Sequence, residues 1–119
     1  MIPPFVSHKQ YLRFVRHQAY RYGGLRTTHR HYHIWRKLQA TNLDAAYPII
    51  AALYCADWGR MARQPVCMLR SCLAMMLCGK TNFDDWVALM RDDPFLALIS
   101  GFDPQDVPGV GTFYDFQDR

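Results

Sequence analysis

Between Pro65 and Gly79 the chain runs PVCMLRSCLAMMLCG, with a proline suited to a first helical turn and a glycine suited to a helix end. The residues between them are apolar on nearly every side. A helix of that kind cannot lie on a surface and has to be enclosed by other elements. This segment therefore predicts a central buried helix near residues 65–78 and a fold wrapped around it. With 119 residues, half of them hydrophobic, the chain has material for one modest core.

The partners of that helix are also legible as helices. Tyr11, Val15, Ala19 and Tyr22 recur on one helical face over residues 8–22, while Lys9, Arg13 and Arg16 share another, and Gly23-Gly24 follows. The next stretch, LRTTHRHYHIWRKLQ, fits two patterns. His29, His31 and His33 alternate as on a strand, whereas Ile34, Leu38 and the lack of breakers favour a helix from about Thr28 to Gln39. Asn42 or Asp44 caps a further helical region running towards Trp58 and closed by Gly59, with Pro48 near its first turn. Thr81 or Asn82 caps FDDWVALMR, whose Asp84 and Asp85 sit where the helix dipole favours anions. Asp92-Asp93-Pro94 breaks the helix, and PFLALIS forms a short one up to Gly101. FDPQDVPGVG is a loop. The expected fold is all-α, a small bundle of five to six helices, divided into a basic helical region at 1–43 and a second helical unit at 44–119.

The final residues pose a problem of stability. Thr112 and Asp115 have capping-box-like spacing, but the helix they would open has about eight residues, below the roughly 12–15 that are even marginally stable alone. Either it docks on the preceding helices or the chain once continued.

Charge is distributed unevenly. Residues 1–43 hold eight Lys or Arg and no acid; the first acid is Asp44. Such a region suits an anionic partner, with nucleic acid the commonest, or else is an ordinary solvated surface. Lys9, Arg13, Arg16, Arg21, Arg26, Arg30, Arg36 and Lys37 are the candidate phosphate contacts, with Tyr20, Tyr22, Tyr32 and Trp35 between them. All five His lie in the same region. His29 and His33 are one helical turn apart and the three His of HRHYH align on a strand, yet no acid or Cys near in sequence completes a metal site. Cys55, Cys67, Cys72 and Cys78 contain no Cys-x-x-Cys pair and read as small core residues. Gly109-Val110-Gly111 lacks the third glycine and the preceding strand of a nucleotide loop, and Ser71 and Ser100 have no triad spacing. No apolar run reaches the ~18–20 residues of a membrane span, and MIPPFVSHKQ lacks the pattern of a secretion signal. A cytoplasmic location is expected, with no catalytic residues, cofactor, metal or small-molecule substrate.

Several motifs follow in order along the second half: Gly59-Arg60 through Pro65, Met68-Leu69-Arg70, Asn82-Phe83-Asp84-Asp85-Trp86, Asp93-Pro94-Phe95-Leu96-Ala97, and Gly109-Val110-Gly111-Thr112-Phe113-Tyr114-Asp115-Phe116. Their succession resembles the N-terminal domain of bacterial insertion-sequence transposases of the DDE type. The resemblance implies a non-catalytic module that engages double-stranded DNA at transposon ends, ahead of a separate domain bearing the three acidic metal ligands. Asp84, Asp85, Asp92, Asp93, Asp103, Asp106, Asp115 and Asp118 stand in cap and turn contexts and do not fill those roles. The alternative is a helical protein–protein interaction module, with a second copy of the chain as a candidate partner. An independent small enzyme has the least support, because no acid–base pair can be named.

Overall fold

The computed structural model describes residues 6–22, 29–49 and 65–117. Their architecture is all-α, with no strand among the described residues: α1 (His8–Ala19), α2 (Tyr32–Ala40), α3 (Pro65–Leu77), α4 (Phe83–Asp92), α5 (Pro94–Ser100) and α6 (Val110–Gln117). Short 3-10 turns occupy Tyr20–Tyr22 and Asp44–Ala46, and residues 47–49 open a further helix. That makes seven α-helices among the described residues, one more than the upper expectation. The rest of the helical region predicted to run to Trp58, the Gly59-Arg60 motif and Cys55 lie outside the described residues, as does Gly23-Gly24.

Local chemistry explains the element ends. Ser7 and Gln10 form a capping box on α1, the Ser7 side chain accepting from the Gln10 N–H and the Gln10 side chain accepting from the Ser7 N–H. Asn42 accepts from the Asp44 N–H, and the Asp44 carboxylate in turn accepts from the His8 N–H at 2.7 Å. The first acid of the chain thus serves the amino end of α1 from across the fold. Asn82 caps α4 through the Asp85 N–H. Asp93 ends α4 and caps α5, its Oδ1 accepting from the Phe95 N–H. Gly101 closes α5 at φ 98°, where a Cβ would also meet Cys67 Sγ at 2.9 Å.

Two expectations about boundaries need correction. The last helix opens at Val110, so Thr112 is inside it and does not cap it. Starting there places Val110, Phe113 and Phe116 at three-residue spacing against the core, which outweighs one cap. The second helix, α2, begins at Tyr32 and not near Thr28, which lies outside the described residues. Residues 29–31 form a turn instead, in which the His31 N–H donates to His29 Nδ1.

One core joins both halves of the sequence. Tyr11, Val15 and Ala19 of α1 and Ile34, Trp35 and Leu38 of α2 belong to the same buried cluster as Met68, Trp86, Met90 and Leu96. The Pro65–Leu77 helix is buried through Val66, Cys67, Met68, Arg70, Ser71 and Ala74, but Met76 and Leu77 at its end are exposed. The most enclosed helix is α5, in which Phe95 through Ser100 are all buried. Trp86 Nε1 donates to Ser71 Oγ at 3.0 Å and ties α4 to α3. The short terminal helix docks: Phe113 is fully buried and stacks on Phe83 with ring centroids 5.3 Å apart.

Arg70 is the anomaly of this core. It is fully buried, its guanidinium lies 3.6 Å from the centre of the Tyr11 ring, and Nη1 donates to Cys67 Sγ at 3.7 Å. Nε and Nη2 have no hydrogen-bond partner among the described residues. A cation stacked on an aromatic face gains up to about 2 kcal/mol, whereas an uncompensated buried charge costs several. Arg70→Met, which keeps most of the stem, should unfold in urea at or above the wild-type midpoint, while Arg70→Ala should lose about 2–4 kcal/mol to a cavity. Phe113→Ala should cost about 3 kcal/mol in the same assay, because it removes the anchor that lets an eight-residue helix exist.

Candidate nucleic-acid interface

The solvent face of α1 is basic. Packing of Tyr11, Val15 and Ala19 inward turns Lys9, Arg13 and Arg16 outward, at spacings of four and three. They line an open groove of about 430 Å³ with Leu12, His17 and Tyr20. Leu12 is half-buried, and Tyr20 stands 89 % exposed. Arg21 is exposed on the following turn; Arg30, Arg36 and Lys37 are exposed on and before α2. Arg26 lies outside the described residues. The ion pairs found among the described residues involve only His29 and His31, so none of these cations is neutralised by a carboxylate there.

The aromatic residues divide. Trp35 is core and Tyr32 is half-buried, so neither serves as an open platform. Tyr20 does.

The histidines are placed differently from any metal pattern. His29 Nε2 lies 3.5 Å from Asp93 Oδ1, and His31 Nε2 lies 4.0 Å from Asp93 Oδ2. The His29 ring stacks on Phe95 at 4.0 Å. Because His29 Nδ1 accepts from the His31 N–H, the hydrogen of a neutral His29 ring sits on Nε2, facing the carboxylate. His31 reaches Cys78 Sγ with Nδ1 at 4.0 Å and Asp93 with Nε2, on opposite sides of its ring. These groups do not converge on one point, and no group of three or more His, Cys or Asp among the described residues is disposed to hold an ion. His33 is exposed and stands outside this arrangement.

Cys78, His31 and Asp93 do form a thiol–imidazole–carboxylate series. Burial pushes the Cys78 thiol up, Lys80 opposes this and Asp93 adds to it. The thiol also follows the carboxyl end of α3, where the dipole disfavours a thiolate. Both effects favour the thiol form of Cys78. The series brings the turn before α2 beside the end of α3 and the α4–α5 junction. Sequence reading missed it because Cys78 and Asp93 are remote in sequence from HRHYH. Only the placement of Asp93 between two helices hinted that its carboxylate is held rigidly.

Comparison with protein-family models, with curated proteins and with solved structures finds no match. The geometry alone bears on what the basic face does.

Burial lowers the pKa of His31; the nearby Asp93 opposes this, while Arg30, His29 and His33 reinforce it. A histidine with a depressed folded pKa binds its proton more readily in the unfolded chain. Its contribution to stability is present above the unfolded value of about 6.5 and is lost as pH falls towards the folded value. The thermal midpoint should therefore drop between pH 7.5 and 5.5, and His31→Asn should flatten that drop.

Proposed function

We propose that this chain is a DNA-binding, non-catalytic module of a transposase, engaging transposon ends during DNA transposition through the basic face of α1. The observation that carries the reading is a helical face bearing Lys9, Arg13 and Arg16 with no carboxylate against it among the described residues. It lies in a region of eight cations and no acid. Such a face neutralises phosphates and releases counterions. Arg21, Arg30, Arg36 and Lys37 extend the same charge, and the order of the motifs from Gly59 to Phe116 supports the transposase assignment. The acids of strand transfer belong to a different domain in that family; this module contributes binding. We place it in the cytoplasm, in keeping with the thiols of Cys72 and Cys78. No helix among the described residues is long and apolar enough to cross a membrane.

A second reading, a protein-interaction module, is favoured by the exposed Met76 and Leu77 at the end of α3, the former 62 % exposed. It predicts a concentration-dependent oligomer without DNA affinity.

Fluorescence anisotropy of a labelled duplex across 50–200 mM salt separates the two. DNA affinity should fall linearly with log salt, and replacing Lys9, Arg13 and Arg16 by Ala should reduce the slope by about 0.9 for each phosphate no longer neutralised. An affinity flat in salt overturns the proposal.

A further inference from the structure

We infer that Tyr20 is a stacking platform for an unpaired base, so that the α1 groove prefers DNA with unpaired nucleotides over intact duplex. The inference rests on the DNA-binding reading and adds the form of DNA to it.

Three features of the groove lead there. First, Tyr20 is the most exposed large aromatic among the described residues, at 89 %, in a chain that buries Tyr11 and Trp35. Leaving such a ring in water forgoes the stabilisation that burying a large apolar side chain provides. Second, Tyr20 lies at the end of the cationic run and not apart from it. At about 1.5 Å rise per residue, Lys9, Arg13, Arg16 and Tyr20 span about 16 Å along one side of the helix, long enough for a short run of nucleotides. Third, the groove is lined by the half-buried Leu12 as well as by Lys9, Arg13 and Arg16. Bare phosphate recognition needs only the cations. An apolar lining residue and an open aromatic face suit the bases of a strand whose phosphates follow the cations, the combination by which single strands are held.

Base pairs in an intact duplex are stacked on one another, and their faces are closed to Tyr20. An unpaired tail, a gap or a frayed end offers a face without the cost of breaking a pair. Arg16, one turn before Tyr20, lines the same groove and supplies positive charge to the flanking phosphate.

The test uses the whole chain and two labelled DNAs that differ only in a three-nucleotide unpaired tail on a blunt duplex. The tailed DNA should bind about tenfold tighter, in line with base–aromatic stacking. Tyr20→Ala should remove that preference, bringing the affinity for tailed DNA down to that for blunt duplex, and Tyr20→Phe should keep it. Because Tyr20 is exposed, circular dichroism of both variants should match the parent. Arg13→Ala should weaken tailed and blunt DNA alike. Salt-sensitive binding with equal affinity for the two DNAs overturns the inference and leaves the DNA-binding reading intact. A tailed preference that survives Tyr20→Ala also overturns it. No salt-sensitive binding to either DNA overturns both.

Discussion

Tyr11 is the point through which the helices communicate. Its hydroxyl donates to the Ile99 carbonyl, one of the orphan acceptors at the end of α5. Its ring lies beneath Arg70 of α3, and Trp35 of α2 packs beside it with centroids 6.1 Å apart. One side chain of α1 thereby meets three other helices, and burial raises its pKa, so the phenol stays a donor. The orientation of α1 follows from this anchoring. With Tyr11, Val15 and Ala19 held inward, Lys9, Arg13 and Arg16 lie on the exposed side of α1. The basic face is a consequence of the core.

Asp93 works in a comparable way at the other end of the bundle. The same carboxylate caps α5 and meets two histidine rings, so the most enclosed helix and the chain leading into α2 share one charge. Asp44 does this for the start of α1. Acids that looked like ordinary caps turn out to link distant segments. This is how a chain whose first 43 residues lack any carboxylate still places negative charge beside its histidines.

Much of the fold was legible because helix signals are local. The Asn82 cap, the break at Asp93-Pro94 and the glycine ends at Gly79 and Gly101 all depend on residues within a turn of one another. Errors arose where a distant contact prevailed. Thr112 lost its capping role because Val110 and Phe116 pack on the core, and α2 started late because His29 and His31 are drawn to Asp93. The candidate interface was legible as charge but not as shape. Tyr20, Tyr32 and Trp35 are alike in sequence context, and only burial shows that one of them is available.

The sequence by itself determined the all-α class, the amphipathic face of α1 and the concentration of cations before Asp44, since periodicity and charge are properties of neighbouring residues. Tertiary structure alone decided which face of each helix is covered. It docked the eight-residue terminal helix through Phe113, brought Cys78 and Asp93 to His31, and buried Arg70 against Tyr11. Each of these joins residues far apart in the chain, and burial there depends on how whole helices pack, which no local pattern encodes.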